Sequence, residues 1–233
     1  LIHMELFADQ PFSIDLSIFV HFRELLKIDL SRSYLPTLDL TPNRSSVLMM
    51  MQLSGDDGGN SSSTSTSSFI ASYSFKLIEM KLFNAKLRKI LPTSFDSFVN
   101  MEKLDLSDNY LESLCCQLFV RLEKLKTLNI SYNSYMNHQS LATQEAMLIM
   151  PFNGLKRLET LSAISIGLRS FDSSSSTFFH GLFSLRQLHL SKNVIKSLTS
   201  SFSQSLRDSN ELLSVIHLDA CYLSSIEAHA FHG

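Results

Sequence analysis

Residues 101–114 read MEKLDLSDNYLESL, with apolar side chains at 101, 104, 106, 111 and 114. A helix does not satisfy this order. Leu104 to Leu106 is a strand step, and Asp108-Asn109 is a turn signal. The pattern predicts a strand of about three to five residues followed by a turn. The same order returns as LIEMKLFNAKLRKI from Leu77, LKTLNISYNSYM from Leu125, LRQLHLSKNVIKSL from Leu185 and LSVIHLDACYLSSI from Leu213. Looser copies start at Leu1, Leu25 and Leu158, and the most degenerate, LMMMQLSGD, starts at Leu48. The chain therefore divides into about nine coils with starts roughly 23 to 33 residues apart, near 1, 25, 48, 77, 101, 125, 158, 185 and 213.

Within L-x-x-L-x-L the leucines face one side of a strand and the residues between them face the other. One coil cannot bury its leucines alone, so coils must stack and their strands pair in parallel. At about 4.8 Å per coil, nine coils would extend roughly 40 Å. Asn109, Asn133 and Asn193 fall just after the strand. A carboxamide there has donors and an acceptor for the backbone of its own and neighbouring coils. Cys221 takes the same slot, which makes it a structural thiol rather than a reactive one. Asp9, Ser33, Asp56, Ala85 and Ile166 interrupt this ladder.

A second half-motif, F-x-x-L or a near variant, closes the variable segments: Phe19/Phe22, Phe95/Phe98, Phe119/Leu122, Phe152/Leu155 and Phe179/Leu182. Together the two motifs resemble the leucine-rich repeat family over essentially the whole chain, in its typical extracellular form with a phenylalanine-stacked convex side. The resemblance implies one α/β-type solenoid over residues 1–233. It is a horseshoe with a parallel β-sheet on its concave face and irregular or short helical segments on its convex face. The long regular helix of cytosolic inhibitor-type repeats and the L-x-G-x-I-P signature of plant receptors are not seen.

Three segments exceed one turn of the pattern. Residues 55–68, GDDGGNSSSTSTSS, read as a flexible Gly/Ser/Thr loop; Asp56-Asp57 lacks the further oxygen ligands a calcium site needs. Residues 137–150 read as a short convex helix packing Leu141, Met147 and Leu148, with a partner-contacting loop as the alternative. Residues 171–177 read as a polar turn.

Composition narrows the reading. Of 233 residues, 44% are hydrophobic and 18% charged, so a sizeable core is available; the net charge of −2 and the lack of a dense basic block argue against non-specific nucleic-acid binding. No apolar run is long enough to span a membrane, and the first residues, which begin mid-pattern, lack the marks of a signal peptide. An internal fragment of a longer ectodomain is expected, with any membrane contact made by a segment outside it. Cys115, Cys116 and Cys221 have no zinc spacing, and the adjacent pair is a strained candidate for a mutual disulfide. No catalytic signature is present, so no enzyme and no cofactor are expected. His229 and His232 lack further ligands and read as a surface pair, so no metal is expected either.

Asn43, Asn60 and Asn129 open Asn-x-Ser sequons. A serine-rich chain produces such sequons by chance. Even so, Asn60 lies in the polar loop and Asn129 faces outward between Leu128 and Ile130. Candidate ligand-binding chemistry falls to the outward positions of the sheet: Lys81 and Phe83, then Lys103, Asp105 and Asp108, then Tyr132, His189, Lys192 and His217. Mixed charge with exposed aromatics suits a protein or polar ligand. His189 and His217, on adjacent coils, would make binding depend on pH if they meet.

The regular coils at 77–124, the sequon-bearing LNISYN, and ISIGLRSF and LSSIEAHAF resemble a Toll-like receptor ectodomain. That resemblance implies recognition of a microbial or endogenous ligand, receptor homo- or heterodimerisation, and an extracellular or lumenal setting on a single-pass membrane receptor. An adhesion, matrix or guidance protein, including a secreted one, uses the same repeats, and an enzyme would need a second domain.

Overall fold

The short alternation in L-x-x-L-x-L leaves one inward residue between two outward ones, and the strands that form are three residues long. In the computed structural model, which describes residues 2–15, 17–22, 24–41, 75–114, 118–134, 152–169, 178–209 and 211–231, the elements run in this order. They are β1 (His3–Glu5), α1 (Ser17–His21), β2 (Lys27–Asp29), β3 (Thr37–Leu38), β4 (Glu79–Lys81), β5 (Lys89–Ile90), β6 (Lys103–Asp105) and β7 (Thr127–Asn129). There follow β8 (Thr160–Ser162), β9 (Gln187–His189), β10 (Ser197–Leu198), α2 (Ser200–Leu206), β11 (Val215–His217) and β12 (Ser225–Ile226).

Eight strands form one sheet in the order β1-β2-β4-β6-β7-β8-β9-β11. Every pair is parallel and in matched register: Met4, Ile28, Met80, Leu104, Leu128, Leu161, Leu188 and Ile216 form one continuous row. Met80, Leu128, Leu161 and Leu188 are fully buried, each contributing about 2 kcal/mol by area. Two minor parallel pairs, β3 with β5 and β10 with β12, bind coils together beyond the turn.

Lys27 pairs directly with Glu79, and Thr37 with Lys89, so the strands of the coils that start at Leu25 and Leu77 are neighbours in the sheet. The coil expected from Leu48, the 55–68 loop, the 137–150 helix, the 171–177 turn, Cys115, Cys116 and His232 lie outside the described residues.

After every strand of the large sheet from β2 on, the chain leaves through a left-handed residue: Arg32, Asn84, Asp108, Tyr132, Ser165, Lys192 and Ala220 have φ between 51° and 62°. Its N–H continues the ladder: Asp108 donates to the Ser131 carbonyl at 2.9 Å and Lys192 to that of Asp219 at 2.7 Å. The next residue is the ladder slot. Asn109 Nδ2 donates to the carbonyls of Leu82 (2.8 Å) and Leu106 (2.9 Å), while its Oδ1 accepts from the Leu87 N–H at 3.0 Å. Asn133 does the same to Leu106, Ile130 and Leu111, and Asn193 bonds Ala163 and Leu190 and accepts from Ile166 and Leu168. Cys221 supplies only the donor half, its thiol lying 3.2 Å from the Leu190 carbonyl. Burial raises the pKa of that thiol, which keeps it protonated.

The convex side is held by rings. Phe95 stacks on Phe119 and Phe152 on Phe179, each pair with centroids 6.3 Å apart. Phe22 departs from the half-motif: it is 37% exposed, and Phe75 instead completes the interior cluster with Phe19 and Phe98. Phe202 holds the buried place in α2, whose N-terminus is capped by Thr199 accepting from the Ser201 N–H. Its spacing to Leu206 is one residue longer than F-x-x-L, because a helix replaces the turn.

Candidate functional site

The sheet's outward residues divide along its length. β1, β2, β4 and β6 present His3, Glu5, Lys27, Asp29, Glu79, Lys81, Lys103 and Asp105, a field of alternating charge. Lys27 Nζ lies 3.0 Å from Glu79, and Lys81 Nζ lies 3.8 Å from Glu79 and 3.9 Å from Asp29. The hydrogen bond from Lys27 is the main cause that lowers the Glu79 pKa, with Lys81 and Lys103 adding to it against burial. β7, β8, β9 and β11 present Thr127, Asn129, Thr160, Ser162, Gln187, His189, Val215 and His217, with no Asp, Glu, Lys or Arg.

The sequence-expected residues form three groups on this surface. Lys81, Phe83 and Asp105 line one open cleft of about 520 Å3, together with Glu5, Phe7 and Asp29. Lys103 is on the same strand as Asp105, and Asp108 stands exposed just beyond it. Tyr132 and Lys192 meet across the intervening coil, with Lys192 Nζ 5.6 Å from the ring centroid and 3.4 Å from the hydroxyl. His189 and His217 stack face to face, 4.7 Å between centroids and 8° between planes.

Some of these side chains also build the scaffold. Asp105 Oδ1 accepts from the N–H and hydroxyl of Ser107, Asp29 Oδ1 from the Ser31 N–H, and Asn129 Oδ1 from the Ser131 N–H. A carboxylate or amide at this place holds the turn that follows, so Asp105 is only partly free for a partner. Asp219 plays a different part. It accepts from the Ser191 hydroxyl at 2.7 Å and lies 3.9 Å from His217 Nδ1. The Ser191 bond chiefly lowers its pKa, whereas burial and then His217 lower that of His189.

Sequence reasoning missed the flank beyond the turns, where Tyr34, Lys86 and Tyr110 follow the ladder slot in successive coils. The row follows from the direct pairing of β2 with β4, which sets the coil of Tyr34 beside that of Lys86. Of the sequon asparagines, Asn129 lies on β7, while Asn43 and Asn60 lie outside the described residues. Among the described residues no three metal-ligating side chains cluster, and no helix is long and apolar enough to cross a membrane.

A family model described as leucine rich repeat matches residues 75–138, the stretch that carries β4 to β7. That match falls on the coils whose strands and Asn ladder are most regular. The fold is a leucine-rich repeat solenoid. Among solved structures, the crystal structure of a TLR13–ssRNA13 complex resembles this solenoid with a TM-score of 0.66 and 20% identity. The alignment covers 100% of this chain and 31% of that one, so the solenoid spans about a third of the length it matches. At that identity the likeness is one of fold. No curated protein matches the chain in the sequence comparison.

Proposed function

We propose that this solenoid is part of the ligand-recognition region of a Toll-like pattern-recognition receptor, working in an extracellular or lumenal compartment and signalling through ligand-linked homo- or heterodimerisation. The observation that carries the reading is the eight-stranded sheet whose outward face gathers Lys81, Phe83 and Asp105 around one cleft. The fold likeness to TLR13 and the Phe-stacked convex side support it. The ligand is a protein or a polar microbial molecule that docks few anchors within a polar surround. Because Lys27 and Lys81 already face carboxylates, the sheet offers little unpaired positive charge to a polyanion.

Asn129 is a glycan acceptor in this reading. Ser131, the third sequon residue, is buried and its hydroxyl accepts from the Ile164 N–H at 3.1 Å. The glycan would therefore be added before the coils of β7 and β8 close on each other. Peptide mass spectrometry on secreted material, with and without glycosidase, checks this; an unmodified Asn129 would count against the compartment.

The test of function is a binding and reporter screen on the receptor carrying this segment. Replacing Lys81 and His189 by Ala and Asp105 by Asn, which keeps the acceptor for Ser107, should weaken ligand binding and signalling at least about tenfold. Unchanged affinity would remove the concave face from ligand recognition.

A further inference from the structure

Beyond the concave sheet, on the flank reached after the turns, a second cleft of about 410 Å3 is lined by Asp9, Arg32, Tyr34, Lys86, Arg88 and Tyr110, with Arg32 also lining the concave cleft. That volume suits a small ligand. Its charges are handled differently from those elsewhere. Lys27 and Lys81 on the sheet, and Lys76, Lys126 and Lys156 on the opposite flank, each have a carboxylate partner. Among the described residues Arg32, Lys86 and Arg88 have none within 4.0 Å. Lys86 instead donates to Asn84 Oδ1 and sits 5.7 Å from the centroid of the Tyr110 ring.

Tyr34, Lys86 and Tyr110 occupy equivalent places in consecutive coils, so the ammonium stands between two tyrosines roughly 10 Å apart. Both rings keep open surface, at 42% and 37% exposure. Two guanidinium groups and an ammonium supply more N–H donors than one carboxylate can accept, whereas a tetrahedral oxyanion has three free oxygens. With Asp9 counted, the cleft carries a net charge of about +2, which matches a phosphate monoester near neutral pH. The acidic rim at Asp9 disfavours a longer polyanion.

From this geometry we infer that the Arg32–Lys86–Arg88 cleft binds a phosphate monoester carried on a flat ring, the phosphate held by the three cations and the ring laid against Tyr110 or Tyr34. This site adjoins the concave cleft at Arg32, and its occupancy does not depend on the receptor reading above.

Isothermal titration of the chain with phenyl phosphate, inorganic phosphate and phenyl sulfate tests it. Phenyl phosphate should saturate at one per chain, and inorganic phosphate should bind about tenfold more weakly, since one stacked ring is lost. Arg32→Ala with Arg88→Ala should weaken phenyl phosphate at least about tenfold. Arg88→Ala alone serves if the pair fails to fold. Tyr110→Ala with Tyr34→Ala should remove the advantage of phenyl phosphate over phosphate, and Lys126→Ala on the opposite flank should leave phenyl phosphate binding unchanged. Absence of saturation, binding that survives loss of the arginines, or equal affinity for phosphate and its ring ester would overturn the inference. Tighter binding of phenyl sulfate would overturn the choice of phosphate.

Discussion

The first four strands of the large sheet and the last four share one inward row of apolar residues but carry opposite outward chemistry. From β1 to β6 the outward positions hold charge that is satisfied across strands, as Lys27 is by Glu79 and Lys81 by Asp29. From β7 to β11 they carry no Asp, Glu, Lys or Arg, and His189 stacks on His217. In a parallel sheet of matched register, an outward residue finds its partners one coil away. Chemistry there belongs to neighbouring coils, and the scaffold constrains it only where a side chain such as Asp105 also holds the turn that follows.

The most severe way to break the comparison is to cut the scaffold at its boundary. Asn133 joins the coils of β6 and β7 by bonding the Leu106 and Ile130 carbonyls while accepting from Leu111. Asn133→Ala leaves those buried groups unsatisfied and should cost about 3 kcal/mol in urea unfolding. Cys221→Ala, which removes a thiol donor alone, should cost clearly less.

Gly154→Ala tests the convex side of the same boundary. Gly154 has φ +95°, and an added Cβ would meet the Val120 backbone at 2.6 Å. Strain and clash together should cost about 2 kcal/mol, read as a lower Tm.

Acidification separates the halves chemically. Burial, then the neighbouring His217, puts the folded His189 pKa below its ordinary value of 6.5, so in that window the unfolded chain binds the proton more readily. The stability that neutral His189 contributes is present above pH 6.5, falls as pH drops through 6.5 and is gone below the lower folded value. His189→Gln should flatten the Tm profile there. Glu79, whose pKa is also lowered, acts in a lower window: its contribution is full above 4.5 and is lost as pH falls below that. Glu79→Gln should be the smallest effect, about 0.5 kcal/mol at neutral pH and diminished by salt, because both lysines it faces reach solvent.

The repeat made most of this fold legible. Alternation at Leu104 and Leu106 marks the strand and its inward face, and Asn109 marks the end of the turn, because those positions have one physical solution. A local alternation is satisfied by many sequences, while strand pairing depends on which coils lie beside each other. Lys81 and Phe83 could be read as outward from parity alone. That Asp105 also holds the Ser107 turn is a local matter of two residues along one coil, whereas that Lys192 reaches Tyr132 over Ser165 and that Arg32 shares a cleft with Arg88 follow from coil-to-coil distance. Single-coil spacing carries no such information.

The outward pairing of neighbouring coils is tested most directly by following the ring resonances of His189 and His217 by NMR from pH 8 to pH 4, in the native chain and in His217→Gln. The expected result is a His189 midpoint below 6.5 that rises when His217 is removed. An ordinary His189 midpoint, unmoved by the loss of His217, would contradict the stacked pair and with it the register that places the two coils side by side.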